Sequence, residues 1–326
     1  MASNSENEGA EVLSPDAAFS ALGNETRIRI LRTLGQADGP LSFTDLRTRV
    51  GIRHGGQFTY HLDKLVGHFV SKTDGKYDLR QAGRRVVEAV LSGAVTSDPV
   101  LEPTPIDEPC PRCGAGTVVA FSQERVEHYC PECAGHYGPA RATSEHATAG
   151  TSSDEDAPYG YLGSVPLPPA GVQDRTPEEV FQASSTWGVL ELLAVASGVC
   201  PRCSASLTES LSICEDHDAT ESLCDQCENR HAIMITRRCP NCLYEQGGAF
   251  VLALMANIHL LRFLIANGLN PVSPSAPTAH DAALMNYDED LLSVDPFEAR
   301  FTFSIDENSL TLTVDDDLQV VEVTRC

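Results

Sequence analysis

The sequence predicts an α+β chain of several small units, and three observations carry that reading. At 326 residues the chain is too long for one small domain. Its apolar periodicity changes between helical and strand spacing more than once. Ten of its 12 cysteines fall into Cys-x-x-Cys pairs, a spacing that suits metal rather than disulfides. The expected order is a disordered start (residues 1–13), a helix-rich domain (14–95), a linker (96–109) and a ribbon built on two cysteine pairs (110–138). A disordered linker (139–157), a helix-flanked unit with two metal sites (158–270) and a C-terminal β-meander (271–326) follow.

Residues 14–95 can be read element by element. Ser14-Pro15-Asp16 opens a helix, with Ser as cap and Pro in the first turn. Asn24 restarts a helical run in which Ile28, Leu31 and Leu34 share a face, and Gly39-Pro40 ends it. Ser42-Phe43-Thr44-Asp45 resembles a capping box for a short helix through Leu46 and Val50, stopped by Gly51. A further helix is expected over Gln57–His68. There Phe58, Leu62, Leu65, Val66 and Phe69 make one apolar stripe, while Gln57, Tyr60 and Lys64 face outward. Asp74-Gly75 between two short β-like runs signals a hairpin that carries Lys72 and Lys76. Val86, Val87, Val90 and Leu91 mark a last helix. Helix, short helix, turn, helix, hairpin, helix is the order of a winged helix-turn-helix. In that fold one helix enters the DNA major groove and the hairpin touches flanking phosphates.

Charge singles out the same block. The chain carries 46 acidic and 23 basic residues, net −23, which excludes a general polyanion binder. Only three of the basic residues are Lys, a composition that resembles proteins of salt-loving archaea. Residues 15–95 hold 12 Arg/Lys against 8 Asp/Glu, net +4, so the remainder carries −27. A basic block in an acidic chain fits a nucleic-acid partner.

Leu22-Gly23-Asn24-Glu25-Thr26-Arg27-Ile28-Arg29-Ile30-Leu31 resembles the opening helix of arsenic-repressor-type (ArsR-like) transcriptional regulators. Gly56-Gln57-Phe58-Thr59-Tyr60-His61-Leu62-Asp63-Lys64-Leu65 resembles the recognition helix of their haloarchaeal relatives. The resemblance implies a homodimer formed through the first and last helices, with double-stranded promoter DNA as the target. It does not extend to arsenic sensing, because no Cys precedes Cys110.

From Cys110 onward the cysteines organise the chain. Cys110/Cys113 and Cys130/Cys133, sixteen residues apart, can meet at one end of a hairpin formed by Thr117–Phe121 and Arg125–Tyr129. Four thiolates there would enclose Zn²⁺. His128 and His136 are then surplus and expected at the surface. A second, denser cluster offers Cys200, Cys203, Cys239 and Cys242 for one zinc and Cys214, His217, Cys224 and Cys227 for another. This nested pairing needs only one antiparallel hairpin; a cross-brace of alternate pairs is the rival. His231 could replace His217, and Cys326 is expected to be idle. Arg230, Arg237 and Arg238 form a basic spot expected to be a solvated face. The region resembles the zinc-ribbon parts attached to winged helices in haloarchaeal regulators. Three structural zinc ions per chain are expected in all.

Gly247–Gly268 reads as one apolar helix, too interrupted by Asn257, His259, Arg262 and Asn267 to span a membrane. Phe301/Phe303/Ile305, Leu310/Leu312/Val314 and Leu318/Val320/Val323 alternate as three closing strands. The start has no export signal, so a cytoplasmic protein is expected. No phosphate-loop, metalloprotease or nucleophile-elbow motif occurs, and closed four-ligand sites leave no position for a substrate, so no enzyme is expected. The sequence therefore points to a DNA-binding transcriptional regulator with a zinc-stabilised sensing or recruitment region. The alternative is a zinc-ribbon adaptor of the transcription machinery, similar to archaeal initiation factors of the TFE type, without sequence preference.

Overall fold

The computed structural model describes residues 13–138, 159–219, 223–272 and 276–326. The segments expected to be disordered, 1–13 and 139–157, lie outside these residues apart from Leu13. The chain is α+β, with several small antiparallel sheets, and divides into two compact units, Met1–Ser97 and Asp98–Cys326.

The first unit runs α1 (Pro15–Leu22), α2 (Glu25–Gly35), β1 (Leu41–Ser42), α3 (Phe43–Val50), α4 (Gly55–Asp63), β2 (Val70–Thr73), β3 (Lys76–Leu79) and α5 (Gln81–Leu91). The caps are those the sequence signals. The side chains of Ser14, Asn24 and Ser42 accept from the backbone N–H groups of Ala17, Thr26 and Asp45, and Gly51 closes α3 at φ 78°. Asp74 and Gly75 both have positive φ, as the tight turn between β2 and β3 requires. The strands order β1-β3-β2 in one small sheet. Ile30, Leu31, Leu46, Phe58, Leu62 and Leu65 form the core, with Phe43 set edge-on to Phe58 at 5.1 Å. Each such buried side chain contributes about 1.5–3 kcal/mol.

The helix expected over Gln57–His68 ends at Asp63 instead. Beyond it, the N–H groups of Leu65 and Val66 both turn back to the Leu62 carbonyl. Gly67 then takes φ 97°, which a continuing helix does not allow. Leu65 and Phe69 stay buried, so the apolar spacing is satisfied by a folded turn.

The second unit opens with a sheet of order β4-β5-β6-β7: β4 (Leu101–Pro109), β5 (Gly116–Ser122), β6 (Arg125–Cys130) and β7 (Gly160–Pro166). β4 corrects the linker expected at 96–109. Its prolines are tolerated because it is an edge strand. A 3-10 turn (Pro169–Gly171) leads to α6 (Pro177–Ala196), started by a full capping box between Thr176 and Glu179. α6 lies on this first sheet, where Val180 meets Phe121 and Val126, and Phe181 meets Ile106 and Val119.

β8 (Thr208–Ile213), β9 (Ile233–Arg238) and β10 (Glu245–Ala249) form the next sheet, ordered β10-β9-β8. The single helix expected at Gly247–Gly268 is β10 followed by α7 (Val251–Leu254) and α8 (Ile258–Ala266). Asn257 restarts the helix, its side chain accepting from the N–H groups of His259 and Leu260. α9 (Pro277–Met285) precedes a four-stranded meander: β11 (Asp288–Val294), β12 (Phe297–Ile305), β13 (Asn308–Val314) and β14 (Val320–Arg325). The three expected strands are thus four, with β11 added at the edge. The boundary expected at 270/271 also cuts through one core. Ile233, Phe250, Leu254 and Leu260 pack with Phe301, Phe303, Leu310 and Leu312, and Phe250 stacks on Phe301 at 4.5 Å. Among the described residues no helix is long and apolar enough to cross a membrane.

Candidate metal centres

Three of the five Cys-x-x-Cys pairs are tight knuckles with a repeated backbone pattern. The Cys110 carbonyl accepts from Gly114 N–H and the Cys110 N–H donates to the Ala115 carbonyl. The same two bonds recur from Cys200 to Ser204 and Ala205, and from Cys224 to Glu228 and Asn229. The residue after the second cysteine takes the left-handed conformation: Gly114 (φ 76°), Ser204 (φ 62°) and Glu228 (φ 54°). Backbone N–H groups of Arg112, Glu132 and Asn241 point at the sulfurs of Cys110, Cys130 and Cys239, each at 3.4 Å. Such donors favour the thiolate, the form that binds metal. A hydrogen bond from the Asn241 side chain, with further support from the Ala205 backbone, lowers the Cys203 thiol to about 6.

The knuckles combine into three sets of four ligand atoms, each set within 4.8 Å of one another: Cys110, Cys113, Cys130, Cys133; Cys200, Cys203, Cys239, Cys242; and Cys214, His217, Cys224, Cys227. Sulfur–sulfur separations are 3.8 Å for Cys110–Cys133, 3.5 Å for Cys113–Cys130, 3.6 Å for Cys200–Cys242 and 3.5 Å for Cys203–Cys239. A disulfide would need about 2.04 Å. A tetrahedron with metal–sulfur bonds of about 2.3 Å has edges of about 3.8 Å, so the spacing fits a metal. The clusters fit zinc ribbons.

The first centre sits where β4 ends, β5 begins and β6 ends. Gly160 on β7 passes so close to the Cys133 knuckle that a side chain there would meet the Cys133 carbonyl at 1.9 Å. The other two centres lie at opposite ends of the β8–β9 ladder. Thr208 pairs with Arg238 beside the four-cysteine set, and Ile213 pairs with Ile233 beside the Cys214 set. This is the nested arrangement and not the cross-brace. Six residues of strand separate the two sites by about 20 Å. His217 donates from Nε2 to the Arg230 carbonyl at 2.9 Å, and its Nδ1 faces Cys227 Sγ at 3.4 Å. That outer bond is the usual device for orienting a metal-binding imidazole.

Other residues that the sequence singles out fall elsewhere once folded. His231 is buried and belongs to none of the three ligand sets, bonded through Nε2 to the Met285 carbonyl and stacked on Tyr287 at 4.2 Å. His136 is not a surface residue either: it is 1% exposed and pairs with Asp281 at 3.0 Å. His128 packs its ring against Phe181 at 4.5 Å, and its Nε2 is buried. The basic spot is a solvated face only in part, because Arg238 is exposed and Arg237 is not. Arg237 is buried against Glu209 at 3.1 Å, and Arg238 pairs with Glu245 at 2.7 Å. Cys326 is exposed and outside every cluster.

In the first unit, Gln57, Tyr60, Lys64, Lys72 and Lys76 are all exposed, while Phe58 and Leu62 are buried on the opposite side of α4. Lys64 caps α4 with its ammonium 5.9 Å from the Tyr60 ring, and Lys72 lies over Tyr77 at 5.4 Å. Lys72 sits opposite Tyr77 in the β2–β3 ladder, and Lys76 opposite Thr73.

Residues 15–90 match the family described as Domain of unknown function (DUF7347), and residues 107–320 match that described as Domain of unknown function (DUF7351). No curated protein and no solved structure matches the chain. The second match runs from just before the first cysteine knuckle into the last strand, over more than half of the sequence, and the chain therefore belongs to the DUF7351 family.

Proposed function

We propose that the protein is a DNA-binding transcriptional regulator whose first unit acts as a winged helix on promoter DNA. Its second unit, held by three structural zinc ions, then senses a signal or recruits a partner. The observation that carries this reading is the exposed polar face of α4, Gln57, Tyr60 and Lys64, together with exposed Lys72 and Lys76 on the β2–β3 hairpin. These belong to the one block of the chain with net positive charge. Gln57 has the donor and acceptor pair that reads adenine, Lys64 suits guanine or phosphate, and the hairpin lysines suit phosphates. Exposed Phe19 on α1, Leu91 at the end of α5 and Val95 beyond it are apolar side chains that a homodimer could cover. Zinc is the metal that four-thiolate and three-thiolate/one-imidazole tetrahedra select among common ions.

The reading is tested by footprinting on genomic fragments bound by the full chain. A defined protected site, lost when Gln57 and Tyr60 are replaced by Ala, supports it. Co-purification with RNA polymerase without any protected site would favour the adaptor reading instead.

A further inference from the structure

The edge of a sheet presents unpaired backbone donors and acceptors, and folds blunt it with proline, bulges, charge or a covering segment. The sheets of the second unit end in β4 and β7, in β8 and β10, and in β11 and β14. β4 carries Pro103, Pro105 and Pro109. Along β7 the Tyr161 carbonyl accepts from the N–H groups of His136 and Tyr137, and its N–H donates to the Gly138 carbonyl. The ladder of β11 is broken between Leu291 and Ser293, and that of β14 beside Thr313 and Val314. On β10 the Gly247 carbonyl accepts from the Gln246 side chain at 3.0 Å. β8 differs. It has no Pro, Lys or Arg, and its register with β9 runs unbroken from Thr208 to Ile213.

The ladder also fixes which backbone groups of β8 are free. In an antiparallel pair, alternate residues turn both N–H and C=O to the neighbour, and the residues between turn theirs away. The Cys214 N–H donates to the Ala232 carbonyl at 2.9 Å, one step beyond the pair Ile213–Ile233. Thr208, Ser210 and Ser212 therefore face β9, while Glu209, Leu211 and Ile213 present their backbone groups outward. The row stops at Leu207, whose N–H is taken by the Gly198 carbonyl at 3.0 Å. Among the described residues no strand or side chain takes the outward groups of 209, 211 and 213. The side chains of Leu211 and Ile213 rest on the core and Glu209 is held by Arg237, whereas Ser210 and Ser212 are exposed on the other face.

We infer that β8 is a docking edge for β8 of a second copy of this chain, paired antiparallel about Leu211 so that two three-stranded sheets join into one. The free row is complementary to itself. A two-fold axis through Leu211 sets Leu211 opposite its own copy and Glu209 opposite the partner's Ile213, and each such pair exchanges two backbone bonds. Ser210 falls opposite the partner's Ser212, so no like charges meet on either face. Moving the axis to Ser210 or Ser212 leaves one residue of the row without a mate. The contact is short, which places it among weak and reversible interfaces. It does not depend on whether the first unit binds DNA or dimerises.

The test follows amide exchange at residues 209, 211 and 213 by NMR in the metal-loaded full chain at high protein concentration. This local readout is not mimicked by a dimer made through the first unit. Leu211→Pro removes the outward N–H at the axis and no bond to β9, a change that an edge strand tolerates. Leu211→Ala loses the same side chain but keeps the donor. The amides of 209 and 213 should exchange at least tenfold faster in Leu211→Pro than in Leu211→Ala. Ser210→Arg with Ser212→Arg sets two cations opposite each other in the pair and should also free all three amides. Ser210→Arg with Ser212→Glu should protect them again, because opposite charges then meet. If Leu211→Pro fails to fold, the two serine variants decide. Amides that exchange as freely in the parent as in Leu211→Pro would overturn the proposal and leave the edge to a strand of another protein. Equal exchange in the two serine variants would overturn it as well.

Discussion

The two units of this chain solve the same problem by different means. Met1–Ser97 carries no cysteine and closes a single core from helix caps, one hairpin and a compact set of aliphatic and aromatic side chains. Asp98–Cys326 carries all of the excess negative charge and breaks its apolar residues into one large and several small clusters. One of the small ones, around Leu162, includes Cys110 and Cys130 themselves. Where a hairpin is too short to bury a core, ligands take over the task. Metal binding contributes about 10–16 kcal/mol in small zinc peptides, far above the yield of a few buried side chains.

That contrast makes the largest expected effect the loss of one ligand. Cys130→Ser should drop bound zinc from three to two per chain by metal analysis and unfold the β4–β7 sheet. Cys227→Ser should also leave two, with damage confined to the far end of the β8–β9 ladder. A parent protein that binds one zinc or fewer would erase the difference between the units.

Next in size is the shared core. Phe301→Ala removes a ring stacked on Phe250 and should cost about 3–5 kcal/mol. Because both rings belong to one cluster, chemical denaturation followed through residues 233–264 and 297–314 should shift together. Separate transitions would restore the boundary that the sequence suggested at residue 270.

A smaller effect is set by pH. Burial pushes His231 down to about 3 and His128 to about 4, so the unfolded chain takes protons near 6.5 that the fold refuses. Their contribution is complete above 6.5 and is lost as the pH falls toward 4. Glu289 opposes them: burial raises it to about 7, so its contribution is present at low pH and lost as the pH rises through 7. Two histidines outweigh one carboxyl, and the melting midpoint of the second unit should drop by roughly 5 °C between pH 7 and pH 5. A rise over that range would contradict the balance.

The smallest stability change is expected at the exposed lysines. Lys72→Ala with Lys76→Ala should leave the melting of the first unit within about 0.5 kcal/mol. The same pair should weaken DNA binding alike for all sequences and reduce the salt slope by about one per lost phosphate contact. An unchanged slope would remove the hairpin from the DNA interface.

Local chemistry was legible in the sequence wherever a short motif fixes the backbone. Ser14, Asn24 and Ser42 cap the helices they were expected to start, and Asp74-Gly75 turns the hairpin. The knuckles and the pairing within all three ligand sets follow from Cys-x-x-Cys spacing and hairpin geometry. What stayed hidden depends on partners far along the chain. β4 is dense in proline and β7 in glycine, and each becomes a strand only because β5 or β6 supplies an edge. β11 begins with the charged run Asp288-Glu289-Asp290 and lacks the alternation of a free-standing strand. Two misses had a signal: Gly67 marked the end of α4, and Asn257 marked the start of α8. The partners of the buried His136 and Arg237, Asp281 and Glu209, are distant in sequence and left no local trace.

Whether one unit is held by its own core and the other by metal can be read from hydrogen exchange on the full chain, before and after zinc is stripped with a strong chelator. Amides of β5, β6, β8 and β9 should lose protection while those of α2, α4 and α5 keep theirs, and returning zinc should restore the first group. Equal loss in both units, or protection of β8 and β9 that survives complete removal of zinc, would show that metal does not hold the second unit.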